Sequence, residues 1–142
     1  MSYSLACSEI YHFDQLISNL TDSWRGALRS LPQNFVLSPA FTFVLPRLKL
    51  IYQWSVSLTS PDYPVTSLEA SFSFSLDSWN TLVHHLAGLA ELFREISPLL
   101  PEYPKEVKTC YKDAEDNLVA LYKLLERWSE LLDLTSDSDV GE

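Results

Sequence analysis

The chain has 142 residues, of which 46% are hydrophobic and 20% are charged, and its formal net charge at pH 7 is −9. This length suffices for one domain with its own hydrophobic core, so neither metal ions nor disulfide bonds are needed to hold it together. The acidic total disfavours general binding to nucleic acid, because the phosphate backbone attracts clustered Lys and Arg.

The two cysteines, Cys7 and Cys110, have neither CxxC nor any metal-ligand spacing, which is typical of a reduced intracellular protein. There is no basic region of the kind that opens a signal peptide, and no uninterrupted apolar run reaches the length of a membrane span. We therefore expect a cytoplasmic protein with a single domain over residues 1–134 and a short acidic flexible tail over residues 135–142.

The first predicted element is a helix over residues 8–31. Its apolar residues recur every three or four positions, as on the inward side of a helix: Ile10, Phe13, Ile17, Leu20, Trp24, Ala27 and Leu31. Asp22 is a residue type that caps helices, and Gly26 weakens a helix interior by about 1 kcal/mol relative to Ala. Two short helices with a break near Asp22 are the alternative.

Three extended segments are predicted next, over residues 34–45, 47–59 and 67–76. In each segment apolar side chains alternate with mostly polar ones, which is the period of a strand with one dry face. Pro39 makes the first segment an edge strand or an interrupted one, since proline cannot donate to a sheet. The alternative is a helix over 39–58 with Ser38 as its N-cap, but Pro46 inside it would cost about 3 kcal/mol.

Two further helices are predicted over residues 78–97 and 104–134. The first has an inward stripe from Trp79 to Ile96, and Asp77 or Ser78 is expected to cap it. The second has apolar residues at alternating intervals of four and three: Val107, Tyr111, Ala114, Leu118, Leu121, Leu125, Trp128 and Leu132. Together these elements predict a two-layer α+β fold, with a three-stranded antiparallel sheet covered by three helices. An all-α bundle is the alternative.

The residues form no pattern that predicts catalysis, a cofactor or a metal site. His84 and His85 are adjacent, so on a helix they point about 100° apart and cannot share a metal ion. Cys110 is expected on the inward side of its helix, where thiols are usually inert. With only three glycines, the chain has neither a GxSxG turn nor a phosphate-binding loop. The sequence therefore favours a protein without enzymatic activity.

The last predicted helix carries apolar residues outside its main stripe. Ala120, Leu124 and Leu131 form a second stripe about 100° around the helix, and Val119 and Tyr122 lie on the other flank. Another helix of the chain packing there is one interpretation, and a subunit or partner interface is the other. The second interpretation predicts a protein-protein interaction module, such as an adaptor, inhibitor, immunity factor or chaperone, and a homodimer is a further hypothesis.

A small group of basic residues in the first half of the chain supports a different hypothesis. Arg25, Arg29, Arg47 and Lys49 outnumber the three acids of residues 1–61. If they contact a phosphate backbone, the chain is an accessory subunit of a nucleoprotein assembly. A third hypothesis is an acidic mimic of nucleic acid, whose binding to a basic partner would be lost at high salt.

Overall fold

The computed structural model of the protein describes residues 2–58 and 71–133. Over these ranges the chain forms four α-helices and two short strands: β1 (Ser2–Ala6), α1 (Cys7–Arg29), α2 (Pro39–Leu58), β2 (Ser71–Ser75), α3 (Leu76–Ile96) and α4 (Lys105–Leu131). A 3₁₀ helix, Ser97–Glu102, joins α3 to α4. The predicted α+β fold with a three-stranded sheet is therefore wrong, and the all-α alternative is closer to the structure.

The first predicted helix is confirmed as α1, which is continuous through Asp22, so the predicted break does not occur. Its side chains at the predicted inward positions from Ile10 to Ala27 are buried. At its C-terminal end the Ser30 hydroxyl donates a hydrogen bond to the carbonyl of Gly26 at 2.9 Å.

The largest error concerns residues 39–58, which form α2 instead of parts of two strands. Ser38 caps this helix, because its Oγ accepts a hydrogen bond from the backbone N–H of Ala40 at 3.3 Å. The helix has a buried stripe spaced by three, four and three residues: Phe41, Val44, Leu48 and Ile51. Pro46 lies on its exposed side. Burial of the stripe stabilises the helix despite the hydrogen bond that proline cannot make.

The third predicted strand is confirmed over residues 71–75 alone, and residues 67–70 lie outside the described ranges. β2 pairs antiparallel with β1, with Leu5 opposite Phe72 and Ser4 opposite Ser73. Leu5 and Phe72 are buried, while both serines are exposed, so the two-stranded sheet has one dry and one wet face. Strand β1 was not predicted.

The helices predicted over 78–97 and 104–134 are confirmed as α3 and α4, with shifted ends. Ser75, rather than Asp77 or Ser78, caps α3, since its Oγ accepts a hydrogen bond from the Ser78 N–H at 3.1 Å. The predicted inward residues of α4 from Val107 to Trp128 are all buried. The predicted tail over 135–142 lies outside the described ranges.

The helices form a bundle in which neighbours run antiparallel. α1 packs against α2 and α4, and α2 packs against α3. The fourth side is closed by two tyrosine hydroxyls of α4, which donate to backbone carbonyls of α3: Tyr111 to Phe93 and Tyr122 to Leu86, both at 2.9 Å. Residue numbers along α3 fall as those along α4 rise, and contacts between the other neighbours show the same reversal. This is the up-down-up-down arrangement of a four-helix bundle.

Aromatic side chains fill the core towards both ends of the bundle. The Trp24 ring centroid lies 4.6 Å from that of Phe41 and 5.2 Å from that of Phe93. At the other end the Phe13 centroid lies 5.7 Å from those of Trp54 and Trp128. Such rings bury large apolar areas and attract one another in tilted and offset arrangements. None of the helices in the described ranges combines the length and apolar character that crossing a lipid bilayer requires.

Candidate functional site

A groove of about 960 Å³ runs along the outside of the bundle between α1 and α2. We call it the α1–α2 groove, and each helix supplies one wall. From α1 it is lined by Tyr11, Asp14, Gln15, Ile17, Ser18, Thr21, Asp22 and Arg25, and from α2 by Leu45, Pro46, Leu48, Lys49 and Tyr52. The lining of α1 spans 14 residue steps, which corresponds to about 21 Å. The groove is thus long enough for several turns of a bound helix.

Asp14 lies in the wall of this groove and is joined to α2 by a single hydrogen bond. The Ser55 hydroxyl donates to Asp14 Oδ1 at 2.6 Å and also lies 3.0 Å from the Tyr52 carbonyl oxygen. Ser55 is 1% exposed, so its hydroxyl is enclosed between the helices. Asp14 is half-buried. The bond therefore fixes the carboxyl group at the boundary between core and groove.

Burial raises the pKa of Asp14 above its usual range, and the hydrogen bond from Ser55 offsets part of that effect. Within the described ranges no Lys, Arg or His forms a salt bridge with this carboxylate. A partly desolvated carboxylate without a cation is unfavourable for folding. Such a group in a cleft is a candidate functional residue.

Two tyrosines stand near Asp14 on opposite walls. Tyr11 precedes Asp14 by three residues on α1, and Tyr52 precedes Ser55 by three residues on α2. Tyr11 is 61% exposed and Tyr52 is 48% exposed. The Tyr11 hydroxyl accepts a hydrogen bond from Gln15 Nε2 at 3.1 Å. Exposed tyrosines beside a groove provide apolar contact area together with a polar tip.

The structure separates the four basic residues proposed to contact nucleic acid. Arg25 and Lys49 line the α1–α2 groove, and Arg29 is exposed in the last turn of α1. Arg47 points instead towards α3, where its Nη1 lies 3.2 Å from Nδ1 of His85. The groove that holds Arg25 and Lys49 also holds two carboxylates. Nucleic-acid contact by these four residues stays a prediction, and the structure does not bring them onto one surface.

The five residues proposed as a partner interface on α4 are also divided. Leu124 is 4% exposed and packs in the bundle core, and Ala120 is half-buried. Val119 and Tyr122 are exposed and line a groove of about 400 Å³ between α3 and α4. Leu131 is 66% exposed at the end of the helix. An interface here stays a prediction, and its accessible members are Val119, Tyr122 and Leu131.

The residues considered for chemistry do not come together. Nδ1 of His85 accepts a hydrogen bond from Arg47, and burial, followed by the charge of Arg47, lowers the pKa of the imidazole. Cys110 is half-buried on α4, where its Sγ lies 3.2 Å from the Cβ position that a side chain at Gly26 would occupy. Among residues 2–58 and 71–133, no three His, Cys, Asp or Glu side chains are grouped closely enough to hold a metal ion.

Comparisons with known proteins add no functional assignment. No protein-family model, curated protein or solved structure matches the chain.

Sequence reasoning missed Asp14 and Ser55 as site residues. Asp14 lies beside the inward residue Phe13, and its environment depends on a serine 41 positions later. One signal was present: Asp14 precedes the inward residue Ile17 by three positions, so its side chain is expected at the edge of the buried stripe. Ser55 could not be recognised, because its segment was assigned to a strand.

Proposed function

We propose that this protein is a non-enzymatic protein-protein interaction module, and that it binds a helical segment of another protein in the α1–α2 groove. The observation that carries the proposal is the groove itself, about 21 Å long between Tyr11 and Arg25 and bounded by two rigid helices. Helix-in-groove recognition uses side chains at positions i, i+3, i+4 and i+7 of the bound helix, which span a shorter distance than this.

The lining of the groove supports a protein partner. Its accessible apolar surface includes Leu45 and Pro46 of α2, together with the rings of Tyr11 and Tyr52. Tyrosine is among the residues enriched at binding hot spots, and Tyr11 and Tyr52 are both exposed here. Lys49 and Arg25 form no salt bridge within the described ranges, so their charges are available to a partner.

The chemistry of the site favours binding over catalysis. Asp14 and Ser55 resemble a base and a nucleophile in residue type, but the Ser55 hydroxyl is enclosed and could not reach a substrate. A nucleophile needs an accessible oxygen and a base positioned to take its proton. The half-buried carboxylate of Asp14 is better suited to recognition of a partner group.

Site-specific photo-crosslinking in the cells that express the protein tests this proposal. p-Benzoylphenylalanine replaces Tyr52 in the groove or, as the control, Lys108 on the exposed side of α4. We expect the probe at position 52 to capture a defined segment of another protein, and the probe at 108 not to capture it. The additional substitution Ser18→Trp fills the middle of the groove and should abolish the crosslink.

Three results would contradict the proposal. They are equal capture at both positions, capture that persists when Ser18→Trp blocks the groove, and crosslinks that join only copies of this chain. The last result would mean that the groove binds a second copy of this chain instead of a different protein. Circular dichroism of each variant verifies that the helical bundle is retained.

A further inference from the structure

Asp14 differs from the other carboxylate in the α1–α2 groove in its surroundings. Asp22 is exposed, whereas Asp14 is half-buried and has lost part of its hydration. Ser55 satisfies Oδ1, but Oδ2 has no hydrogen-bond donor within the described ranges. This second oxygen is not sealed in the core, so it is accessible from the groove. Asp14 therefore presents one unpaired anionic oxygen to whatever occupies the groove.

The tyrosines complete a site for a positive charge. Tyr11 and Tyr52 line the groove from opposite walls, each one helical turn from a member of the Asp14–Ser55 pair. Aromatic faces attract cations, most strongly where water is partly excluded. A carboxylate between two aromatic side chains therefore favours an ammonium or guanidinium group over a neutral or anionic one.

Lys49 is the cation of the chain to be considered as an internal partner. It precedes Tyr52 by three residues on α2 and lines the same groove, but it forms no salt bridge with Asp14. Its charge opposes a second cation, so the approach from the Tyr11 side of the groove is favoured. Among residues 2–58 and 71–133, Asp14 is thus left without a counter-ion.

We propose that the Asp14 end of the groove binds an Arg or Lys side chain of the partner segment, held between Tyr11 and Tyr52. This inference rests on the proposed function and adds the chemistry of the partner. The cation compensates for the hydration that the Asp14 carboxylate loses by partial burial. The apolar remainder of the groove contacts the rest of the segment, which distinguishes a polypeptide from a free amine.

The test uses ethylguanidinium chloride as a probe for the arginine head group and N-ethylurea as its neutral analogue. Both are titrated into ¹⁵N-labelled protein at constant ionic strength, well below denaturing concentrations. We expect ethylguanidinium, but not N-ethylurea, to shift the amide signals of Tyr11, Gln15, Tyr52 and Ser55. Asp14→Asn keeps an acceptor for Ser55 and should weaken this binding about tenfold. Asp113→Asn, at an exposed position of α4 outside the groove, is the matched control and should change it less than about twofold.

The partner segment captured by the probe at position 52 provides the second arm. We expect it to contain an Arg or Lys whose replacement by Gln weakens binding to the wild-type protein but not to the Asp14→Asn variant. The inference is overturned if Asp14→Asn binds ethylguanidinium as well as the wild type, or if the shifted signals lie outside the groove. If the groove gives crosslinks but ethylguanidinium does not bind, the proposed function is retained and this inference is wrong. If ethylguanidinium binds but the groove gives no crosslinks, the proposed function is wrong, and so is the inferred polypeptide partner.

Discussion

The hydroxyl of Ser55 donates a 2.6 Å hydrogen bond to Oδ1 of Asp14 and so joins α2 to α1 at the wall of the groove. Ser55 is buried in a helix that is otherwise anchored by apolar side chains, and it is one of two polar residues buried within the described ranges. Placing a carboxylate here costs stability that an apolar or amide residue would not cost. A binding role would explain why a carboxylate stands at this position.

The substitution Asp14→Asn should stabilise the protein at neutral pH. Burial raises the pKa of Asp14 in the folded state, so folding favours the protonated carboxyl. The corresponding stability is present below the unfolded-state pKa and is lost as the pH rises through the folded-state value. At pH 7 we therefore expect the variant to gain about 0.5 kcal/mol, and the gain should vanish in acid.

Urea denaturation of both proteins between pH 4 and pH 7 measures this difference. Asp22→Asn is the control, since Asp22 is exposed in the same groove and its removal should have little effect at either pH. A variant that is less stable than the wild type at pH 7 would mean that the fold stabilises the ionised form of Asp14.

Glu9→Gln should have the opposite effect. Two nitrogens of Arg127 donate to the Glu9 carboxylate at 2.5 and 3.1 Å, and Trp128 Nε1 donates at 2.9 Å. The hydrogen bond from Arg127, assisted by that from Trp128, lowers the pKa of Glu9. The stability it contributes is therefore present above the unfolded-state pKa and is lost as the pH falls through the lower folded-state value.

We expect Glu9→Gln to cost about 1 kcal/mol at pH 7, because the interaction is bidentate but Arg127 is largely exposed and screened by solvent. The cost should shrink as the pH is lowered below 4. Thermal unfolding at several pH values measures it. Glu91→Gln removes an exposed salt bridge with Arg94 and should change stability by no more than a few tenths of a kcal/mol. Equal effects of the two substitutions would contradict the prediction.

Leu124 and Leu131 share the second apolar stripe of α4 in the sequence, but they should respond differently to truncation. Leu124 is buried in the bundle, so Leu124→Ala should destabilise the protein by about 2–4 kcal/mol. Leu131 is exposed, so Leu131→Ala should change stability by less than about 0.5 kcal/mol. Chemical denaturation of the two variants separates these outcomes, and comparable losses would show that Leu131 is covered.

The helices that the sequence predicts correctly are those with a polar side. In α1, α3 and α4 charged residues occupy the outward positions, so the inward stripe is visible with a period of three or four. In α2 both sides are rich in apolar residues. Alternation through Leu48, Leu50 and Tyr52 therefore fitted a strand, although Leu48 also belongs to the helical stripe that is buried in the structure. Periodicity cannot distinguish the two when apolar residues occur around the whole helix.

Pro46 also favoured the incorrect strand prediction, because a proline inside an isolated helix strongly destabilises it. Its penalty is outweighed here by the apolar residues that α2 buries, which no local rule includes. Strand β1 has an alternation similar to that of β2, with Tyr3 between two serines and Leu5 between Ser4 and Ala6, but it is five residues long and directly precedes a helix. The groove was not predictable, because it exists only where α1 and α2 pack.

Gly88→Ala tests how α2 and α3 pack on the side away from the groove. The added Cβ would lie 2.8 Å from Cζ of Arg47, whose guanidinium also contacts His85 at 3.2 Å. Since this is the far end of a flexible side chain, we expect Arg47 to move, with the change in stability kept within about 1 kcal/mol by the higher helix propensity of Ala.

Loss of the nearby positive charge should raise the pKa of His85. The value should remain below that of a free histidine, because burial is the larger cause of the present lowering. NMR titration of the His85 imidazole signals in the variant and in the wild type measures this shift. An unchanged His85 titration in the variant would show that Arg47 keeps its position or does not affect the imidazole.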